Sequence, residues 1–300
     1  MRILLTGASG YLGRYLAARL GKVHDVVGTY RYESAPAPGC VLRQLNLTEK
    51  DAVAPLVREA APDIIIHAAA MSHPDPCEGD PEAAQQVNVE GTELLARAAA
   101  ERGARMIFIS TDLVFDGKKP PYRECDPPSP LCVYSRGKVE AERLVRELVP
   151  ESLTLRLSWS YGWKPVGRLM FCDVLYRNLS AGKGMRLFSD QVRTMLYLED
   201  TAEMIARVAE MKPWPEIEGR VLHLAGPERL SRLQFGEIFC EVFGLDRKLL
   251  DAIRSDRLKL AAMRPRDCSL DGSLLHGLIG FKPRTVAEGL RAMKKDRPSA

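Results

Sequence analysis

The stretch 2-RILLTGASGYLGRYLAARL-20 decides the fold of this chain. A short apolar strand runs directly into a loop with glycine at positions 7, 10 and 13. Leucines then recur every four residues, which is the spacing of one face of an amphipathic helix. This order of strand, glycine loop and helix is typical of the first unit of a parallel sheet.

The glycine loop also predicts what the edge of that sheet binds. Gly7, Gly10 and Gly13 would permit a tight turn, a close approach of main chain to a pyrophosphate, and close packing of helix on strand. Free N–H groups at the start of the helix favour phosphate binding. We therefore expect a dinucleotide site here; the alternative is a plain structural turn.

The rest of the chain extends the pattern. Strands and helices alternate from residue 1 to about 160, and runs such as 63-DIIIHAAA-70 and 104-ARMIFIST-111 are continuously apolar. Such strands indicate a parallel sheet covered on both faces. Helices are expected over 48–62, with Thr48 as N-cap, over 81–103, and over 231–244, with Ser231 as cap, and a strand is expected over 152–162. We predict an α/β fold, a doubly wound parallel sheet (Rossmann) with a smaller, interleaved C-terminal substrate lobe. The predicted dinucleotide-binding domain is 1–158 plus about 194–226, and the substrate-binding lobe is about 159–193 plus 227–300.

Composition bounds the class of protein. The 300 residues are 46% hydrophobic and carry a net charge of +4, which favours a globular protein and gives no reason to expect nucleic acid. The seven cysteines form no C-x-x-C pair, so we expect a reducing compartment and no zinc or other metal site. The sequence shows no signal peptide and no membrane-spanning run, so a cytoplasmic location is expected.

The end of the second strand, 28-GTYRYE-33, bears on the choice of cofactor. Arg31 can pair with a 2′-phosphate through charge-assisted hydrogen bonds, which favours NADP, used as NADPH. Glu33 follows closely and could instead hold a ribose hydroxyl, which leaves NAD as the alternative.

Tyr134 and Lys138 lie four residues apart at the start of a predicted helix and so share one face. A neighbouring ammonium would lower the pKa of the phenol, and a phenol tuned in this way can exchange a proton with a substrate oxygen. The stretch 110-STDLVFDGKKP-120 ends the preceding strand, and its polar start indicates an active-site edge rather than turn chemistry alone.

Together these motifs resemble the extended short-chain dehydrogenase/reductases, and within them the dTDP-4-dehydrorhamnose reductase-like subgroup. The resemblance runs from residue 3 to about 293. Three further segments carry it: 75-DPCEGDPEAAQQVNVEGT-92, 155-LRLSWSYG-162 and 264-RPRDCSLDGSLL-275.

The resemblance implies NADPH-dependent reduction of the C4 ketone of a 4-keto-6-deoxy nucleotide sugar. Thr111 would bind the carbonyl oxygen, Tyr134 would donate the proton, and Lys138 would hold the nicotinamide ribose. The residues implied at the cofactor are Gly7, Gly10, Tyr11, Leu12, Gly13, Arg31, Asn46, Leu47, Ala68, Ala69 and Ala70. The residues implied at the substrate are Asp112, Trp159 and Arg264, with Arg266 as a second diphosphate candidate.

Two departures and two alternatives accompany this resemblance. Asn46 stands where relatives more often have Asp, and 134-YSRGK-138 stands where they often have Y-G-x-x-K. One alternative is a nucleotide-sugar epimerase; a dehydratase would typically carry Glu at the position of Leu113. The other is a non-catalytic, NADP-binding regulatory subunit resembling the β subunit of methionine adenosyltransferase. A nucleotide sugar is the expected small-molecule partner, and a homodimer is expected because dimers are common in this superfamily.

Overall fold

The computed structural model describes residues 1–32, 37–164 and 169–296. Its strands are β1 (Arg2–Thr6), β2 (Asp25–Tyr30), β3 (Val41–Gln44), β4 (Ile64–His67), β5 (Arg105–Thr111), β6 (Ser152–Leu157), β7 (Ser160–Tyr161), β8 (Met185–Phe188), β9 (Val192–Thr194), β10 (Leu196–Tyr197), β11 (Val221–Leu224), β12 (Arg229–Ser231) and β13 (Leu250–Ile253). Its α-helices are α1 (Tyr11–Leu20), α2 (Lys50–Ala60), α3 (Pro74–Gly79), α4 (Pro81–Gln85), α5 (Gly91–Arg102), α6 (Val133–Leu148), α7 (Phe171–Ser180), α8 (Leu198–Glu210), α9 (Arg232–Phe243), α10 (Ser273–Ile279) and α11 (Val286–Lys295). Short 3₁₀ helices cover Asp112–Val114, Glu218–Arg220, Arg247–Leu249 and Ser255–Arg257, and a π-helical turn covers Gln86–Glu90.

The central sheet has seven strands in the order β3-β2-β1-β4-β5-β6-β11, and every neighbouring pair is parallel. The chain builds outward from β1 to β3 and then continues on the other side of β1 from β4. The strand order therefore reverses between β1 and β4, which is where open α/β sheets bind ligands. The predicted fold class is confirmed.

Two apolar layers cover the sheet. Neighbouring residues of β1 point to opposite faces: Leu5 packs with Leu16 of α1 and Ile205 of α8, whereas Leu4 packs with Leu95 of α5 and Val145 of α6. Because both faces are buried, the strands read as continuous apolar runs rather than alternating ones. Because all seven strands are parallel, their carboxyl ends lie at one edge of this covered sheet.

A smaller lobe is built from the segments between and after the last sheet strands. Strands β8 and β13 pair in parallel, and β9 and β12 pair antiparallel. An aromatic cluster holds α7, α9 and α11 around them, with Tyr161, Trp163, Phe235 and Phe239 at its centre. Helix α8 and strand β11 return to the sheet, so the lobe is interleaved with it. The domain boundaries given above remain our proposal.

Four local features differ from the sequence predictions. Strand β3 was missed because it is only four residues long and mostly exposed; Val41 is 55% exposed, and only Leu42 packs against the core. Thr48 does not cap α2, which starts after Glu49, because the Thr48 hydroxyl donates to Asn46 Oδ1 at 3.0 Å. The helix expected over 81–103 contains the π-helical turn between α4 and α5. The strand expected over 152–162 is divided into β6 and β7.

In the three described ranges, no helix combines the length and apolar character needed to cross a bilayer.

Candidate active site

A cleft of about 840 Å³ opens along the carboxyl edge of the sheet and continues under the smaller lobe. Its cofactor half is lined by residues 7, 9–13, 29–32, 45–47 and 68–70. Its substrate half is lined by six polar or aromatic side chains: Asp112, Trp159, Gln191, Arg193, Arg232 and Arg264. Thr111, Tyr134 and Lys138 line the same cleft. The structure therefore brings the predicted catalytic and cofactor residues, and the substrate candidates other than Arg266, to one cavity.

The loop requires glycine at positions 7 and 13 because a Cβ there would lie too close to neighbouring main chain. Gly7 has φ of +71°, and a Cβ there would lie 2.9 Å from main-chain atoms of Ala69. A Cβ on Gly13 would lie 2.0 Å from the Gly7 carbonyl oxygen. Gly10 is the N-cap of α1 in extended conformation, so the first N–H groups of the helix open into the cleft. This geometry suits a pyrophosphate held on main chain.

A chain of hydrogen bonds fixes the loop that follows β4. The Ala69 N–H donates to Thr6 Oγ1 at 3.2 Å, and that oxygen lies 2.6 Å from His67 Nδ1. On the other side, His67 Nε2 lies 3.0 Å from Thr92 Oγ1. The Thr92 hydroxyl donates its proton to the Asn88 carbonyl at 2.8 Å, so its oxygen accepts from the His67 Nε2–H. His67 Nδ1 is then unprotonated and accepts from the Thr6 hydroxyl.

His67 is therefore a neutral structural histidine. Burial, with a smaller contribution from the Lys138 charge, lowers the pKa of His67 to about 3. Its role is to hold Ala68, Ala69 and Ala70 beside the glycine loop, where they line the cleft.

A cationic side chain, Arg31, lines one end of the cofactor half. Arg31 lies at the end of β2, and its guanidinium stacks on the Tyr32 ring at 4.6 Å. No ion pair or side-chain hydrogen bond engages this guanidinium among the described residues, so it can meet a phosphate. Glu33, the predicted alternative, lies outside the described residues. Asn46 and Leu47 line the cleft, and the Asn46 side chain is bonded to Glu49 at 3.0 Å.

Thr111, Tyr134 and Lys138 converge from two elements. Thr111 ends β5, and its hydroxyl accepts the Leu113 N–H at 3.2 Å. Tyr134 and Lys138 lie one turn apart in α6 and are 7% and 3% exposed. Lys138 Nζ donates to the carbonyl of Ile109, also in β5, at 2.7 Å. The lysine thus ties α6 to the strand that carries Thr111.

Burial dominates the ionisation of both α6 groups. It raises the pKa of Tyr134 well above its ordinary value, and hydrogen bonding with Thr111 acts in the opposite direction. It lowers the pKa of Lys138 to about 7, although the Glu142 charge opposes this. The expected lowering of the Tyr134 pKa by Lys138 is therefore wrong for this structure, because desolvation of the phenolate is the larger effect. A neutral Tyr134 is a proton donor.

A buried ion pair lies below these residues, and the sequence analysis missed it. Glu142, one turn beyond Lys138, accepts from Arg156 Nε at 3.1 Å and from its Nη2 at 2.8 Å. Ser110, beside Thr111, donates to the same carboxylate at 2.5 Å. Extending the four-residue spacing of Tyr134 and Lys138 would have reached Glu142, and that was the available signal.

Asp112 anchors the substrate half. Its Oδ2 lies 3.2 Å from Arg193 Nε and 3.5 Å from Ser158 Oγ. Burial raises the pKa of Asp112, and the Arg193 charge partly counters this shift. The other N–H groups of Arg193 donate to main-chain carbonyls, including that of Pro265 at 3.1 Å. Arg193 therefore joins the end of β5 to the C-terminal segment.

Trp159 forms the floor of the substrate half. Its ring meets Phe171 and Phe235 edge-on at 5.2 Å each, and the Arg232 guanidinium covers its face at 4.6 Å. Gln191, Arg193 and Arg232 were not predicted, because they come from segments without a recognisable motif. Ser231 was predicted as a helix cap, which placed Arg232 in a first helical turn but gave no reason to place it in the cleft.

The two C-terminal arginine candidates differ. Arg264 lines the cleft and donates to Asp75 Oδ2 at 2.7 Å. Arg266 does not line the cleft; its guanidinium lies 3.1 Å from Asp256 and 3.6 Å from Asp190. Arg264 remains a substrate candidate, whereas Arg266 has a surface ion-pair role.

Known proteins are similar to this chain along almost its whole length. A family model described as the RmlD substrate binding domain matches residues 1–297. The probable low-salt glycan biosynthesis reductase Agl14 of Haloferax volcanii is 33% identical over 98% of this chain and 97% of its own length. The dTDP-4-dehydrorhamnose reductase of Aggregatibacter actinomycetemcomitans is 33% identical over 100% and 99%. The methionine adenosyltransferase 2 subunit beta of Pongo abelii is 34% identical over 95% and 84%.

Solved structures agree. The dTDP-4-dehydrorhamnose reductase of Clostridium acetobutylicum superposes with a TM-score of 0.84 at 28% identity, covering 98% of this chain and 99% of that one. The Bacillus anthracis dTDP-4-dehydrorhamnose reductase, solved in complex with NADP, gives a TM-score of 0.82 at 25% identity and 99% coverage of both chains. The chain therefore belongs to the RmlD substrate-binding-domain family of the extended short-chain dehydrogenase/reductases, which are NAD(P)-dependent oxidoreductases that include the dTDP-4-dehydrorhamnose reductases.

Proposed function

We propose that this protein reduces the C4 ketone of a 4-keto-6-deoxy nucleotide sugar with NADPH. The observation that carries the proposal is the convergence of Thr111, Tyr134 and Lys138 in one cleft whose other end has a glycine loop. The reductases among its relatives support the same chemistry.

The residues of the cofactor half fit a dinucleotide. Main-chain atoms of Gly7 and Ala69 approach so closely that a Cβ at Gly7 would clash, which leaves smooth main chain for a pyrophosphate. Arg31 offers a guanidinium for the 2′-phosphate of NADP, and its removal would leave NAD as the better fit. When bound, the cofactor would supply a hydride to the carbonyl carbon.

The protein's own groups would handle the carbonyl oxygen. Tyr134, neutral because of burial, would donate its proton to the oxygen as the new C–H bond forms, and Thr111 would hydrogen-bond to the same oxygen. Lys138 donates one N–H to the Ile109 carbonyl. Its other N–H groups would hold a ribose hydroxyl and return a proton to the Tyr134 phenolate. The products are the alcohol and the oxidised cofactor.

The test is the loss of NADPH absorbance with a panel of 4-keto nucleotide sugars, including dTDP-4-keto-6-deoxy-L-mannose. We expect rapid turnover of at least one sugar, and a loss of about 10²–10⁴-fold in kcat for Tyr134→Phe, because general acid catalysis contributes rate enhancements of that order. Arg97→Gln, at an exposed i,i+4 pair on α5, serves as a surface control. Tight NADPH binding without turnover of any sugar would contradict the proposal.

A second candidate is a non-catalytic regulatory subunit. It is favoured by the relative named methionine adenosyltransferase 2 subunit beta, which is 34% identical over 95% of this chain. The measurement that separates the two is binding of the full chain to a catalytic adenosyltransferase subunit by analytical ultracentrifugation. The homodimer and the cytoplasmic location stay predictions.

A further inference from the structure

Arg232 and Gln191 are brought together by the main chain of the smaller lobe. Gln191 directly precedes β9, and Arg232 directly follows β12, its antiparallel partner. The Arg232 N–H donates to the Gln191 carbonyl at 3.3 Å, so the two residues are neighbours across the pair. Both side chains line the substrate half of the cleft.

Each of the two side chains has donors without an acceptor. Gln191 is 3% exposed, and its Nε2 has no hydrogen-bond partner among the described residues. The Arg232 guanidinium makes no hydrogen bond and no close ion pair within those same ranges. Its contacts are the rings of Trp159 at 4.6 Å and Phe171 at 5.5 Å. A buried polar donor normally has a hydrogen-bond partner, so a ligand is expected to supply the acceptor for the Gln191 amide and the Arg232 guanidinium.

The charges around this pair leave it cationic. Arg193 is neutralised by Asp112, and Arg264 is paired with Asp75. Arg232 has no carboxylate of its own, and burial together with the nearby arginines lowers its pKa to about 10. Arg232 is also the first residue of α9, whose positive dipole end lies at this position. A bound anion would pair with the Arg232 charge, favour its protonated form and interact favourably with the positive end of the α9 dipole.

We propose that Arg232 and Gln191 form an oxyanion-binding subsite beside Trp159 that selects a substrate carrying a carboxylate or phosphate oxygen. The proposal rests on the proposed function in taking the ligand to be a nucleotide sugar. The planar guanidinium of Arg232 would bind the oxyanion through two N–H groups, and the Gln191 amide would add a third donor.

The test is calorimetric binding of UDP-glucose and UDP-glucuronate to the NADP-saturated full-length protein. These ligands share the diphosphate and differ at C6, where only the second has a carboxylate. For Arg232→Gln we expect affinity to fall about tenfold to a hundredfold, since a charged hydrogen bond contributes about 1.5–3 kcal/mol. Gln191→Leu should weaken the same ligand about two- to tenfold.

The pattern of losses identifies the source of the oxyanion. A loss confined to UDP-glucuronate assigns the subsite to a sugar carboxylate, and an equal loss for both ligands assigns it to the diphosphate. Unchanged affinity of the Arg232→Gln protein for both ligands, or no binding of either ligand by the wild type, overturns the proposal. Arg247→Gln removes an exposed charge from the 3₁₀ helix after α9 and should leave both affinities unchanged.

A second variant guards against a folding defect. Arg232→Lys keeps the charge but loses the planar fork and its stacking on Trp159, so it should bind better than Arg232→Gln and worse than the wild type. Equal binding by the lysine and glutamine variants, with wild-type unfolding temperatures, would also overturn the proposal. Because binding rather than turnover is measured, absence of reductase activity would leave this result unaffected.

Discussion

The cofactor half of the cleft is built around a glycine loop whose main-chain segments approach closely, whereas the substrate half is lined by charged and aromatic side chains from several separate segments. In the first, glycines at 7 and 13 bring main-chain segments so close that no side chain would fit. In the second, Arg193 and Arg232 are held by partners distant in the sequence, such as Asp112 and Trp159. A site made of main chain is specified by one local motif, but a site made of side chains depends on tertiary pairing.

The largest effect should come from the buried ion pair that lies below Thr111, Tyr134 and Lys138. Glu142→Gln would leave Arg156 buried without its carboxylate, which costs about 3–5 kcal/mol in comparable pairs. Urea unfolding would measure the loss. Glu147→Gln, at an exposed pair with Arg143 on the same helix, should cost less than about 1 kcal/mol. Similar losses in both variants would show that burial does not matter here.

The second-largest effect is expected from a substitution in the glycine loop. A Cβ at Gly13 would lie 2.0 Å from the Gly7 oxygen, so we expect Gly13→Ala to lose about 3 kcal/mol, the upper part of the usual range for overpacking, and to lose NADPH binding. Gly277→Ala in α10 meets no atom within 4 Å and serves as the matched control. Denaturant unfolding and NADPH fluorescence are the measurements, and wild-type behaviour of Gly13→Ala would refute the close approach.

Arg31 is the side chain that we propose decides between NADPH and NADH in the cofactor half. We expect Arg31→Gln to weaken NADPH about tenfold and to leave NADH unchanged, because a charge-assisted contact to the 2′-phosphate is lost. Titration of both cofactors would show this. Arg43→Gln, at an exposed pair with Glu59, removes the same charge outside the cleft. Equal weakening of NADPH and NADH would contradict the assignment.

The smallest effect concerns pH. The pKa of Lys138 is lowered from 10.5 to about 7 in the folded protein, so between these values the unfolded chain holds a proton that the folded chain releases. Stability from this group therefore rises with pH, by at most about 1.4 kcal/mol from pH 7 to 8. Lys138→Met should flatten that part of the curve in urea unfolding at the two pH values. Identical slopes would mean that Lys138 titrates normally.

The same contrast explains how much could be predicted from the sequence. The doubly wound sheet and the roles suggested for Gly7, Tyr134 and Lys138 depend on short motifs within one element or one turn, and the structure brings these residues to one edge. Strand β3 has only two apolar residues, Val41 and Leu42, and so short a run does not predict a strand. Arg193 lies 81 positions after Asp112 in the chain, so no spacing rule predicts that they pair. The ionisation of Tyr134 also required the structure, because desolvation depends on packing.

Helix α1 has a further consequence through its two phenols. Tyr11 and Tyr15 donate to the carbonyls of Gly162 and Trp163 at 2.8 Å each, so the helix that follows the glycine loop also holds the segment after β7. If a sugar displaces that segment, the helix is displaced with it. Thermodynamic reciprocity then requires that any factor by which the sugar tightens NADPH binding is the factor by which NADPH tightens sugar binding. Tyr11→Phe and Tyr15→Phe would reduce that shared factor in both directions.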